Sequence, residues 1–303
     1  ALVFGYSASS FSTISGNLSV TAGGNISQHS YSSSSPYDSR LLVTGDTLFT
    51  VTAANSNLFL GYSDPLNATY AGLANSFGGS VTIAKSGAGS YQDVYLRNTS
   101  TNAAQIIGLA TVGTLQNVSL RYDKAASVEI PGMTLTGNLS ISAPNGGITQ
   151  SGALVVPGTA MFRASSTKDI TLTNAANNFY RINVNGARDV FLTDLNAIEL
   201  YGNGYSFSLS RNLSVTAGGA ITDASSSDAN YYINVNGGTA TFNAGAGNNI
   251  TLDNQYNQFS RVDITSGNNV TIYDNDSIVF GNSTISGAFL VDSRGSGTLT
   301  QVA

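Results

Sequence analysis

The sequence predicts an all-β chain wound as a parallel β-helix of roughly 12 or 13 coils, stacked at the strand spacing of ~4.8 Å. Three observations carry that prediction. The composition suits strands and turns and not surface helices. Short runs alternate apolar and polar residues. One phrase is written again and again along the chain.

Composition comes first. Charged residues are only 10% of the 303, well under the usual quarter or so, and Glu occurs only at Glu129 and Glu199. Their place is taken by Ser, Thr, Asn and 33 Gly, residues that favour turns and strands over helix. Hydrophobic residues make up 41%, which sets the chain apart from disordered sequences. The net charge is −5 and the 12 basic residues are scattered, which argues against nucleic acid as a partner. With no cysteine there is no disulfide framework and no thiolate metal site. No apolar stretch approaches the about 20 residues of a membrane span, and no basic-then-apolar signal segment opens the sequence. Membrane insertion is therefore not expected.

The repeated phrase sets the organisation. "GNLSVTAGGNISQ" at 16–28 returns as "GNLSISAPNGGITQ" at 137–150 and as "RNLSVTAGGAITD" at 211–223, and a fourth copy opens at Gly287. Units beginning at 16, 137, 211 and 287 have lengths of 121 (137 − 16), 74 (211 − 137) and 76 (287 − 211) residues. The first unit thus holds an atypical insertion around 70–124, about two coils' worth, expected to form extra wraps or a side lobe. Within a unit, "DITLT" places Ile170 and Leu172 on one side and Asp169, Thr171 and Thr173 on the other. "RINVN" places Ile182 and Val184 inside and Asn183 and Asn185 outside. Gly, Asn and Ser clusters separate such runs as turns do. Recurrence roughly every 22 to 28 residues without helices reads as a solenoid. Its length exceeds what one sandwich core absorbs. The chain is expected to be one continuous solenoid over 1–303.

The phrases "NLSVTAGGNISQ", "NLSISAPNGGITQSGALVVPGTAMFRA" and "DITLTNAANNF" resemble the repeats of filamentous-haemagglutinin-type exoproteins, large bacterial adhesins exported by two-partner secretion. The resemblance covers nearly the whole chain and implies a right-handed β-helix, a secreted or cell-surface location, and adhesive or structural work. The Asn-Pro-Asn motifs of that family's secretion domain are missing, so the resemblance implies shaft and not export signal.

Candidate chemistry is sparse. His29, the only histidine, stands in a Ser/Tyr-rich turn. Asp189 and Asp194 sit at the two ends of one strand, too far apart for a glycosidase pair. Asp274 and Asp276, in "YDND", are turn residues with weak calcium capacity, the one cofactor considered. The Asn-x-Ser triplets read as wrap-start asparagines, in left-handed turns and hydrogen-bonded ladders, more than as glycosylation sites. Outward residues mix Thr171 and Thr173 with Asn183, Asn185 and Asp263, which breaks the threonine rank an ice-binding face needs. The aromatics are the most suggestive feature. Tyr180, Tyr201, Tyr205, Tyr231, Tyr232, Tyr256 and Tyr273 lie near strand ends or turns, placed to stack on sugars or on another rod, or to cover the solenoid's edges.

The expected function is a non-enzymatic, adhesive or structural shaft, secreted or on the cell surface. Its partners would be carbohydrate or surface ligands, or further copies of itself along a filament. A polysaccharide-cleaving β-helix enzyme is the alternative and an ice-binding solenoid the next. "ALVFGYSASSFSTIS" reads as the close of a unit and "GAFLVDSRGSGTLTQVA" as the opening of one, so the segment is expected to continue into further wraps or to stack on other copies.

Overall fold

The computed structural model describes residues 1–4, 12–28, 40–61, 75–101, 106–202, 206–224, 229–294 and 297–302. Every regular element among them is a strand, and every pairing between named strands within each compact unit is parallel. The fold is a β-solenoid of about 11 turns. The chain forms two compact units, Ala1–Gly146 and Gly147–Ala303.

In the first unit a row of buried residues climbs one sheet. Ile26 pairs with Leu58, Leu58 with Val94, Val94 with Val118 and Val118 with Leu139. The successive steps are 32 (58 − 26), 36 (94 − 58), 24 (118 − 94) and 21 (139 − 118) residues. The early wraps are long, so the chain makes about 11 turns and not the 12 or 13 expected. Smaller sheets line the other sides, one carrying Leu18–Ala22, Thr47–Val51, Val81–Lys85 and Ile106–Ile107, the other Ser12–Ile14, Leu41–Val43 and Ser76–Phe77. The described part of 70–124 therefore consists of strands paired within these sheets, including Tyr91–Asn98 and Asn117–Tyr122.

In the second unit the sequence's alternation sets the packing. Ile148, Ile170, Val190, Leu213, Ala240, Val262 and Phe280 pair in succession on one sheet, and all are buried. Facing it, Ile182 pairs with Leu200, and Ile221, Ile250, Val270 and Phe289 pair in succession. Each wrap thus covers the apolar face of its neighbour, the condition for a solenoid core. Edge-to-face phenylalanines recur: Phe162–Phe179 at 6.3 Å and Phe242–Phe259 at 6.2 Å, with Phe49–Phe77 at 6.4 Å inside the first unit.

The pairing shows a feature the repeated phrases conceal. "DITLT" at 169–173 and "NITLD" at 249–253 are equivalent, yet Ile170 lies on one sheet and Ile250 on the other. From Ile170 the rungs Val190, Leu213 and Ala240 make three turns, and Ile250 follows half a turn later. The same exchange holds for Ala160 and Ala240, for Ile182 and Val262, and for Val190 and Val270. One repeat is three and a half turns, so successive repeats present equivalent residues on opposite faces.

Strand starts are locked by side-chain ladders. Asn25 Oδ1 accepts the Asn57 N–H at 2.9 Å, Asn57 that of Asp93 at 3.2 Å, Asp93 that of Asn117 at 3.1 Å, and Asn117 that of Asn138 at 2.9 Å. Asp169, Asp189 and Asn212 run a like ladder onto Asp189, Asn212 and Thr239. The wrap-start ladders expected of the asparagines are present, but the left-handed backbone is not. Among the described non-glycine residues only Asn55 has positive φ, at 55°. The side chain reaches the next rung from ordinary strand geometry, so no αL conformation is needed.

Candidate functional site: an arginine held between tyrosines

Tyr180 and Arg181 lie in the strand Asn178–Val184, and Glu199 and Tyr201 belong to the next wrap, where Arg181 is in register with Glu199. Tyr231 comes from the approach to the strand Ile233–Asn243. The Arg181 guanidinium sits 4.6 Å from the Tyr180 ring centre and 4.5 Å from that of Tyr201. Tyr201 meets Tyr231 at 5.3 Å with the planes tilted by 40°. The result is a stack of Tyr180, Arg181, Tyr201 and Tyr231 running across three wraps. Cation–π attraction and aromatic packing hold it. Arg181 also donates to the Tyr180 hydroxyl at 3.1 Å and pairs with Glu199 at 3.4 Å. Burial, then the neighbouring Tyr231, pushes the Tyr201 phenol above its ordinary pKa. Tyr180 remains 56% exposed.

Of the seven tyrosines singled out in the sequence, three meet here. Tyr205 lies outside the described residues, as does His29. Tyr232 is half-buried beside the core residue Ile233. Tyr256 is half-buried in a turn, its N–H bound to Asn254 Oδ1 at 3.0 Å. Tyr273 is elsewhere, under the Arg294 guanidinium at 5.0 Å. Asn183 was expected to face out; its amide lies on that side but is wholly buried and donates to the Tyr201 carbonyl at 2.7 Å. Arg181 and Glu199 escaped the sequence reading because only the register across wraps brings them together. The adjacent "YR" at 180–181 was the available signal.

The carboxylates weighed for chemistry are engaged by their own chain. Asp189 is buried, bound by Arg211 through both oxygens and by Asn212, and the Arg211 hydrogen bonds hold it below the usual carboxylate range. Asp194 and its repeat equivalent Asp274 are buried caps. Asp194 accepts the N–H groups of Phe179 and Asn196, and Asp274 those of Phe259 and Asp276. Burial raises both, Asp274 to about 6. Asp276 Oδ1 accepts the Ser277 N–H at 3.1 Å. Both Asp274 oxygens thus accept backbone N–H groups, Oδ2 from Phe259 and Oδ1 from Asp276.

A fourth buried carboxylate had no place in the sequence reading. In two repeats a glutamine and an asparagine exchange reciprocal amide bonds, Gln28 with Asn75 and Gln150 with Asn177. The asparagine also takes the N–H of a buried leucine, Leu41 or Leu154. In the next repeat Asp223 replaces the glutamine and faces Asn257 at 2.6 Å. Its carboxylate accepts the Asp253 and Asn254 N–H groups, and burial raises it to about 7. The recurring Asn-x-Phe at 75–77, 177–179 and 257–259 was the signal that could have found it.

The chain matches a family described as repeats of unknown function (DUF5649) over residues 2–84, 115–184, 187–266 and 267–303. It belongs to this family. DUF5649 repeats therefore account for most of the solenoid, while 85–114 falls outside the match. No curated protein matches the chain, and no solved structure does. The DUF5649 match places the aromatic stack across two copies, with Tyr180 and Arg181 in the one at 115–184 and Tyr201 and Tyr231 in the one at 187–266.

Proposed function

We propose that this chain is the β-solenoid shaft of a bacterial surface or secreted exoprotein, with structural and adhesive work. The half-turn offset of successive repeats carries the reading. A scaffold whose equivalent residues alternate between two faces displays surface in both directions along its length, and many weak contacts then add through multivalency. The laddered strand starts and repeated phenylalanine pairs support stiffness. The resemblance of "NLSVTAGGNISQ" and its copies to filamentous-haemagglutinin-type repeats supports an extracellular site. The self-satisfied carboxylates at Asp189, Asp194 and Asp274 support a non-enzymatic role. Immunogold labelling of the producing cells, with adhesion measured before and after deletion of the gene, tests the proposal. Label on the envelope or in the medium and lost adhesion are the expected results; label confined to the cytoplasm overturns it.

A further inference from the structure

We propose that the stack of Tyr180, Arg181, Tyr201 and Tyr231 is a binding platform for a neutral saccharide chain. The inference gives the adhesive part of the function above a ligand, but it stands on different observations.

The rings supply flat, amphipathic surface of the kind that packs against the C–H face of a sugar, with hydroxyls at the rim to bond its OH groups. Tyr180 is the most exposed of them, at 56%. It stands opposite a bulge, because Val156 pairs with Phe179 and Thr159 with Arg181, leaving Pro157 and Gly158 across from it. Pro157 is itself exposed. Glu199 contributes an acceptor.

Charge selects the class of ligand. The Arg181 cation is already met by Glu199 at 3.4 Å, so the patch has no surplus charge for a phosphate or a uronate. Nucleobases also stack on aromatics, but their backbone needs a basic groove that a chain of net charge −5 does not provide here. A second copy of the chain is disfavoured by the repeat. A contact that builds laterally from repeats should recur with them, whereas the equivalents of Tyr180, Glu199 and Tyr201 are Ser260, Val279 and Gly281. A side chain at Gly281 would run into the Arg261 guanidinium and the Asp263 carboxylate, which pair with each other at 2.8 Å. The platform is thus a single site on a repetitive scaffold.

Native affinity electrophoresis of the 303-residue chain through gels holding dextran, galactan or mannan tests this, with heparin and a single-stranded oligonucleotide as charged probes. At least one neutral polysaccharide should retard the chain. Tyr180→Ala should weaken that retardation about fivefold to tenfold, Tyr180→Phe should keep it within about twofold, and Tyr256→Ala should leave it unchanged. Circular dichroism of each variant confirms the fold, and Tyr180→Phe keeps the test valid if the alanine variant misfolds. The proposal is overturned if no neutral polysaccharide binds, if a charged probe binds better, or if Tyr180→Ala binds as the wild type. It is also overturned if that variant changes only self-association in sedimentation. A secreted shaft that ignores every sugar sinks this inference alone; a sugar-binding protein confined to the cytoplasm sinks the exoprotein reading alone.

Discussion

Replacing Asp223 with glutamine should change how stability depends on pH. Asp223 is 9% exposed, and its partners are the Asp253 and Asn254 N–H groups and the Asn257 amide, with no cation among them. Its folded pKa of about 7 lies above the ordinary 3.8. The folded state therefore holds a proton that the unfolded state releases between about pH 4 and pH 7. Stability falls as pH rises through that window and is flat above it. The rise from 3.8 to about 7 corresponds to a loss of about 4 kcal/mol, an upper figure for one group. Asp194 and Asp274, also raised by burial, act in the same direction; Asp189, lowered by Arg211, acts oppositely and only in acid.

Glutamine is the residue its repeat equivalents carry, and at Gln150 it forms the reciprocal pair with Asn177. Asp223→Gln adds one methylene, at a packing cost of about 1 kcal/mol, and removes the titration. The variant should equal or fall slightly below the wild type at pH 4.5 and exceed it by about 2–3 kcal/mol at pH 8, the titration loss less the packing cost. Guanidinium unfolding of both proteins at four pH values between 4.5 and 8 measures this. If the two proteins lose stability in parallel across that range, Asp223 does not titrate as argued and its burial has been misjudged.

Three further outcomes follow from the same geometry. Asn177→Ala leaves the buried Leu154 N–H unpaired and breaks the reciprocal bonds to Gln150, whose amide keeps only Gly152 and Asn174, and should cost about 3 kcal/mol in denaturant unfolding. Phe162→Ala and Phe242→Ala each remove one ring of an edge-to-face pair and should cost about 3–5 kcal/mol, alike within about 1 kcal/mol because the two sites are repeat equivalents. Arg211→Ala should lower the melting temperature at pH 7 and lower it less at pH 3, below the ordinary 3.8, where the unfolded state takes up the proton that Arg211 keeps off folded Asp189.

Much of the fold is legible in the sequence because strand alternation and turn residues are local. Ile170 and Leu172, and Ile182 and Val184, point inward as their spacing requires. The wrap-start ladders are legible too, since Asn and Asp recur before the apolar runs. What the sequence hides is set by register between wraps. The alignment of "DITLT" with "NITLD" looks like simple repetition, and nothing in either phrase tells which sheet it joins. Arg181 and Glu199 are 18 residues apart (199 − 181) and become neighbours only through the pairing of Ile182 with Leu200. Asn183 follows the outward phase and is still buried, because alternation gives direction and not what covers a side chain.

The half-turn offset makes a prediction about deletion. Removing residues 170–249 excises 80 residues (250 − 170) and joins Asp169 to Ile250. Ile250 would then stack on Ile148, as Ile170 does now, and Phe259 would meet Phe162 in the place of Phe179. Gln150 would face Asn257 as it now faces Asn177. Everything downstream moves to the opposite face, and each residue meets the neighbours its equivalent already has. Solenoid stability is a sum of repeat and nearest-neighbour terms, so the shortened chain should fold and melt cooperatively. Removing 170–209 instead excises 40 residues (210 − 170) and sets Ser210 and Arg211 where a wrap needs Ile170. That chain should aggregate or melt at a clearly lower temperature, by roughly 15 °C or more for several kcal/mol of lost core. If the 80-residue deletion fails while the 40-residue deletion folds, the half-turn register is wrong. If the 80-residue deletion folds, it also lacks Tyr180, Tyr201 and Tyr231, and saccharide retardation should vanish from an intact scaffold.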